Sequence, residues 1–554
     1  MFTQRARLSA AALFLTVTLA THAQDTALQA KIDAMIHEPQ VARAHWGIHV
    51  TKLDGTPIVA INEGQLFQPA SNNKLFTTAT VMALLPTETQ RFVTTVKGEG
   101  VFEKDGVLRG RLMLIGGGDA NLSGRTLPYV PPALRPTGPQ PPPNELRYIG
   151  ELADQIKAKG ITRVEGDVIG DDIMLPWEPY ANDWSIDDAV WYYGAPVNAL
   201  MIADNAINLK IMPGAKVGDS ATIVLNPSLP YYTIASQLRT VAKGEETHYE
   251  IQRTIGSRTL RLYGTIAIGH RPISEDIAIE DPAEYAAFAL KNALEERGIP
   301  VTGKVRTDHR IEPTLQFTKE ATAPIKHLEP LKSVTPEQAH FIENLDPYFG
   351  TIAGFARPET RVLANHYSAP LYEDVVVTNK VSQNQHAELM LRLLGGFFGS
   401  KDDCDHTMPV TVGSIAQGAR VVRSFLTTKV GIDPDDFIFY DGSGLSGHDL
   451  VTTRAITQLL RYAVTQPWGE KWKASLPVGG EDGTLRSRFP KEPIKGHLHA
   501  KTGTLSEARA LSGYLDCASG QTVVFSIMVN NHTPRTHEDE KIMDAIVAVI
   551  QAAE

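Results

Sequence analysis

Cysteine is almost missing from this chain, with only Cys404 and Cys517 among 554 residues. That excludes a disulfide framework, and no Cys/Cys/His spacing is present that could close a structural zinc site. Positive charge is not in excess either. The 53 Lys and Arg stand against 63 Asp and Glu, a net charge of -10, which excludes broad electrostatic capture of a nucleic-acid backbone. Long apolar runs are lacking as well. The longest near the N-terminus, residues 8–20, is 13 residues, short of the ~20 needed to span hydrocarbon, and no later segment is long and apolar enough. What remains is an ordinary globular composition, 42% apolar and 21% charged, in a chain long enough for two to four domains.

The first residues read as an export signal. Arg5 and Arg7 precede the apolar run, and Thr21-His22-Ala23 offers small residues for cleavage before Gln24. Residues 1–23 are therefore expected to be removed, leaving no anchor, since no cysteine follows that could carry a lipid. Beyond the cut, Leu28, Ile32, Met35 and Ile36 predict an amphipathic helix ending before Pro39. Residues 46–53 and 57–61 flank Asp54-Gly55 and predict a hairpin. At the far end, Val523, Phe525, Ile527 and Val529 alternate as a strand, and Ile542, Ile546, Val549 and Ile550 stripe a closing helix.

The middle of the chain differs. Eight prolines within residues 128–143 predict an exposed, stiff loop. A helix follows, with Leu146, Ile149, Leu152 and Ile156 on one face and Gly160 at its end. The spacing Leu152, Ile156, Gly160-Ile161, leading to Gly166, resembles Leu290, Leu294, Gly298-Ile299, leading to Gly303, a weak echo of one helix-into-strand unit. Between the two, residues 200–275 hold short β-rich stretches among turns, the signature of a small β unit.

Three strings carry chemistry. In Ser71-Asn72-Asn73-Lys74, a helix opening at Ser71 puts Lys74 one turn on, on the same face, close enough to take the hydroxyl proton. In Ser382-Gln383-Asn384, Ser382 and Asn384 can point to one side of a loop. In Lys501-Thr502-Gly503-Thr504, an edge strand would face Lys501 to the site, and Gly503 would admit a substrate backbone. The first two patterns each arise about once by chance in a chain this long, and Lys-Thr-Gly on the order of 0.1 times; order and context carry the argument. Gly298 to Lys304 resembles a phosphate loop only superficially, because Val305 replaces the Ser or Thr and Pro300 breaks it. His497 and His499 lack a third metal ligand, Gly116-Gly117-Gly118-Asp119 reads as a turn, and no Gly-x-Ser-x-Gly elbow occurs.

The three strings, in this order, are the set found in β-lactamases and penicillin-binding proteins. With Gly116–Asp119, Tyr193-Gly194-Ala195-Pro196-Val197, Ala387-Glu388, Asp441-Gly442-Ser443-Gly444-Leu445-Ser446 and Pro477-Val478-Gly479-Gly480-Glu481-Asp482-Gly483-Thr484-Leu485, the chain resembles low-molecular-mass class C penicillin-binding proteins. These are D-alanyl-D-alanine carboxypeptidase/endopeptidases, and the likeness runs over nearly all of residues 24–554. One departure stands at Gly447 and Asp449, where the family usually shows Arg and Asn. The resemblance implies an α/β multidomain fold: a serine β-lactamase/transpeptidase-like domain, antiparallel sheet flanked by helices, with a large nested insertion. It implies Ser71 as nucleophile and Lys74 as its base, with Ser382 as proton relay and Asn384 holding the substrate amide. Lys501 and Thr502 would take the terminal carboxylate, and Gly503 and Thr504 would border the substrate. Peptidoglycan peptides and β-lactam antibiotics are the implied partners, with no nucleic acid, cofactor or metal, in the periplasm, where Cys404 and Cys517 are free to pair or not. Two alternatives stay open here: a β-lactamase, which shares the motifs but deacylates quickly, and a catalytically silent wall-binding scaffold.

Spacing then divides the chain. Ser71 and Ser382 are 311 residues apart, Ser382 and Lys501 only 119, so the first gap holds an insertion. The expected division is a discontinuous peptidase domain of residues 24–98 and 360–554, an inserted mixed α/β domain of 99–199 and 276–359, and a nested β-rich domain of 200–275.

Overall fold

The computed structural model describes residues 26–139, 143–312, 316–334, 359–399, 412–534 and 536–554. Residues 1–23 and Cys404 lie outside these segments; Cys517 is buried at the end of a strand.

Both ends of the chain build one antiparallel five-stranded sheet. Its order is Leu498–Thr504, Ala508–Asp516, Thr522–Asn530, His45–Lys52 and Pro57–Ile61. The last two strands are the expected hairpin, turned by Gly55 at φ +95 and by Asp54 Oδ1, which accepts from the Thr56 N–H at 2.8 Å. The strand Thr522–Asn530 is buried on both faces. Val523, Phe525, Ile527 and Val529 pack with Leu28, Ile32 and Ile36 of helix 26–36 and with Ile542, Ile546 and Ile550 of helix Glu538–Ala553. Val524 and Met528 face the other way, into a core shared with helices Lys74–Leu84, Asn384–Phe398 and Thr453–Val464. The observed period of two is thus a choice between two apolar layers, not between core and water.

A second sheet is formed by the middle of the chain, in the order Val305–Arg310, Val168–Pro176, Val107–Ile115, Val93–Phe102 and Glu359–Tyr367. The breaks expected at 98/99 and 359/360 cut strands of this sheet, which begins at Val93 and ends at Tyr367. The sequence echo is also visible here. Helix Arg147–Ala158 and helix Pro282–Glu296 each end near a positive-φ glycine, Gly160 and Gly298, and each runs into a strand of the same sheet. The two units join in parallel through Val164 N–H to Pro300 O and Thr302 N–H to Val164 O, both at 3.0 Å. Gly303 and Gly166 meet backbone to backbone, where a Cβ on Gly303 would stand 2.2 Å from Gly166; close packing, not phosphate, explains the glycines.

Two small sheets lie between these strands in sequence. One runs Ile273–Ala278, Ala206–Met212, Thr222–Asn226; the other groups Arg239–Val241, Thr259–Ala267, His248–Gln252 and Thr233–Ser236. The first continues past residue 275, and both share one apolar core with the neighbouring helices. The described part of the proline-rich segment holds a single 3₁₀ turn, Pro132–Leu134, and is largely exposed. Gly116 and Gly117 form a backbone crossing. A Cβ on Gly117 would stand 1.9 Å from Val93 O.

Candidate active site

Ser71 sits in a 3₁₀ turn, Ala70–Asn73, that runs directly into helix Lys74–Leu84. Ala70 enters the turn at φ +48, a conformation held by its surroundings. Beneath it passes the Asp441–Ser446 loop, whose Gly444 (φ +81) would put a Cβ 1.8 Å from Ala70 O. The entry to the site therefore requires glycine twice, at 444 and at Gly503, where a Cβ would stand 2.6 Å from Pro69 O.

Lys74 is fully buried and makes three contacts: Ser71 Oγ at 2.8 Å, Asn384 Oδ1 at 2.6 Å and Ser443 O at 2.6 Å. A neutral amine has two hydrogens and one lone pair. Donation to Asn384 and Ser443 uses the hydrogens and leaves the lone pair facing the Ser71 hydroxyl. Burial brings the Lys74 pKa down to about 7, with Asp441, Glu388 and Asp449 pulling weakly the other way.

Ser382 occupies the turn between helices Leu371–Lys380 and Asn384–Phe398, at φ +61. Lys501, on the edge strand Leu498–Thr504, donates to Ser382 Oγ at 2.9 Å. Burial, and then the like charge of Lys74, push its pKa well below the usual lysine range. The edge strand is tied to the serine turn by Asn72 Nδ2, which donates to Lys501 O at 3.1 Å. Thr502 and Thr484 share a hydroxyl contact of 2.7 Å. Ser71, Ser382, Asn384, Thr502, Gly503 and Thr504 line one cleft of about 640 Å³, with Lys74 and Lys501 buried beneath. All eight residues singled out from the sequence converge.

Others complete the site. Glu388 Oε1 accepts the N–H groups of Gly442 and Ser443 at 2.8 and 2.9 Å, aiming Ser443 O at Lys74. Asn384 Nδ2 donates to Tyr193 O at 2.8 Å, so the Tyr192–Gly194 turn forms one wall. Asn73 Nδ2 donates to Asp441 O and to Asp449 Oδ2, both at 3.0 Å. The departure at 449 thus has a local role. Burial and the neighbouring Asp441 push the Asp449 pKa well above the carboxylate range. Burial also opposes ionisation of Asp441, but hydrogen bonds from Asp449, Gly444, Trp184 and Ser446 outweigh it and hold its pKa low. The sequence signal for this layer is the Asp-Gly-Ser-Gly turn and the Glu388 after the second string. Among the described residues no group of His, Cys, Asp or Glu is arranged to hold a metal, and no helix is long and apolar enough to cross a membrane.

An antiparallel sheet backed by helices, with a serine and a desolvated lysine at its edge, defines a serine acyl-transfer hydrolase of the β-lactamase/transpeptidase type. The chain belongs to the D-Ala-D-Ala carboxypeptidase 3 (S13) family, whose pattern it matches over residues 28–334 and 351–553, and it is a D-Ala-D-Ala carboxypeptidase of that family. It is 28% identical over 525 residues to the D-alanyl-D-alanine carboxypeptidase of Actinomadura sp. (strain R39), covering 93% of this chain and 83% of that protein. The D-alanyl-D-alanine carboxypeptidase DacB of Haemophilus influenzae is 23% identical over 491 residues, 88% of this chain and 85% of that one. The crystal structure of penicillin binding protein 4 from Haemophilus influenzae superposes with a TM-score of 0.71 at 20% identity, covering 94% of this chain and 98% of that chain.

Proposed function

We propose that Ser71 is the nucleophile that cleaves the D-Ala-D-Ala ends and cross-links of peptidoglycan stem peptides, and that β-lactams acylate the same oxygen. The observation that carries this is the 2.8 Å contact of Ser71 Oγ with a lysine whose pKa is about 7. Neutral Lys74 takes the hydroxyl proton as Ser71 attacks the scissile carbonyl, forming the Ser71 ester. The backbone N–H groups of Ser71 and Thr504 bind the developing oxyanion. Ser382, with Lys501 behind it, passes a proton to the leaving amine; D-alanine departs, and water hydrolyses the ester. Asn384 holds the substrate amide, and Lys501 with Thr502 takes the terminal carboxylate. One relative, penicillin binding protein 4 of Haemophilus influenzae, has been crystallised with a β-lactam.

The remaining expectations belong to the same proposal. Residues 1–23 export the chain to the periplasm and are removed, and the peptidase body is discontinuous around its insertion, with strands Val93–Phe102 and Glu359–Tyr367 assigned to the inserted part. Mass spectrometry with penicillin and with a D-Ala-D-Ala peptide tests the core of it. Native protein should gain one adduct and Ser71→Ala none; an unchanged adduct in Ser71→Ala would overturn the assignment.

A further inference from the structure

Something must hold Ser382 and Asn384 over the two buried lysines. Ser382 lies between helices at φ +61, outside the hydrogen-bond ladder of either. The four residues that follow it all reach into the inserted region. Gln383 Nε2 donates to Asp204 Oδ2 at 3.0 Å, and Asn384 Nδ2 and Gln385 Nε2 donate to Tyr193 O and Tyr192 O at 2.8 and 2.7 Å. His386 Nε2 meets Asp204 Oδ1 at 3.3 Å. Asp204 thus grips the segment on both sides of Asn384.

Asp204 is itself held firmly. It is the middle of three consecutive residues at positive φ, Ala203, Asp204 and Asn205, none of them glycine. This unfavourable run is pinned by Ala203 N–H to Leu122 O, Asn205 Nδ2 to Pro196 O and Ile279 N–H to Asn205 O. Arg125 pairs with its carboxylate, and the fully buried His386 lies between Asp204 and Asp374, the second at 3.4 Å. The Arg125 guanidinium and the His386 imidazole therefore face two carboxyl groups, Asp204 and Asp374. Burial opposes charge on His386, yet the two carboxylates raise its pKa on balance. Asp204 does not line the catalytic cleft; it borders a separate cavity of about 230 Å³ with Gln383, Glu145 and Asp276.

We infer that Asp204 is a positioning residue of the reaction: through Gln383 and His386 it sets Ser382 and Asn384 in register with Lys501 and Lys74. The inference rests on the roles proposed above for those four residues. Misplacing a catalytic group by about 1 Å can cost roughly 100-fold in rate, and the Asp204 contacts act on the turn without touching substrate.

The test uses the full-length protein as wild type, Asp204→Ala, Gln383→Ala and Gln383→Glu, with Asp154→Ala on an exposed helix as control. Penicillin adduct mass, kcat and KM for D-alanine release, and thermal midpoint are measured on each. Asp204→Ala and Gln383→Ala should reach a full adduct on long incubation but lose about 10- to 100-fold in kcat with little change in KM. In Gln383→Glu, the protonated side chain can still donate to Asp204 and the ionised one repels it. Its activity should fall with rising pH where the wild type gains activity, a readout that lost packing would not produce. A wild-type pH profile in Gln383→Glu, or folded Asp204→Ala with kcat within about threefold of wild type, would overturn the positioning role. If Asp204→Ala does not fold, the two Gln383 variants, which leave the Arg125–Asp204–His386 contacts intact, decide. No adduct on the wild type would instead strike at Ser71, on which the inference rests.

Discussion

Lys74 and Asn384, 310 residues apart in sequence, stand 2.6 Å apart in the folded chain. Asn384 thereby occupies one hydrogen of the amine and Ser443 O the other. The lone pair is left for Ser71, so the protonation of Lys74 sets activity. Because the group must be neutral to act, kcat/KM for D-alanine release should rise with pH through about 7. Asp441 is the largest of the charges holding that pKa up. Asp441→Asn should therefore move the rising limb to lower pH, measured from pH 5 to 9 on the folded variant.

Asp449 gives a prediction about stability. Its native pKa is raised far above the unfolded value, so between the two the native state binds a proton that the unfolded chain has released. Stability from this residue falls as pH rises across that window. Asparagine carries no such proton and can still bridge to Asp441. Urea unfolding should find Asp449→Asn close to wild type at pH 4 and progressively more stable than it toward pH 8.

Lys380 and Asp482 form a buried ion pair at 2.7 Å, with Lys380 also donating to Leu476 O at 2.6 Å. Removing one partner leaves a charge without compensation. Asp482→Ala should cost about 3–5 kcal/mol in chemical denaturation, and adding Lys380→Met should recover most of it.

At Gly444 the neighbour is backbone and cannot rotate away. Gly444→Ala combines positive φ with a clash against Ala70 O and should cost about 2–4 kcal/mol. It should also slow penicillin labelling of Ser71, as read by gel fluorescence, because the turn bearing the nucleophile has to move.

The eight cleft and lysine residues are legible in the sequence because each string packs its chemistry into one turn of helix or one short stretch of strand. The terminal hairpin and closing helix are legible for a similar reason, since their apolar periods are local. The rest of the site is not local. Ser443 O and Tyr193 O are backbone acceptors with no side-chain signature, and Glu388 acts through N–H groups 54 and 55 residues away. Strands Val93–Phe102 and Glu359–Tyr367 escape assignment for the same reason. The first contains glycines and Lys97; it forms a hairpin with Val107–Ile115, but its other partner, Glu359–Tyr367, lies more than 250 residues on, so the extent of the second sheet is not marked locally.

The pairing of His45–Lys52 with Thr522–Asn530 has a kinetic consequence. The sheet that carries Lys501 stays open until the chain has closed a loop of more than 450 residues. Contacts of such separation form late and slowly. The inserted region, whose partners are nearer in sequence, can be ordered first, and the peptidase body would then assemble around an already folded centre. An arrested chain lacking its last strands should accordingly hold the insertion in native form while Ser71 remains without a site.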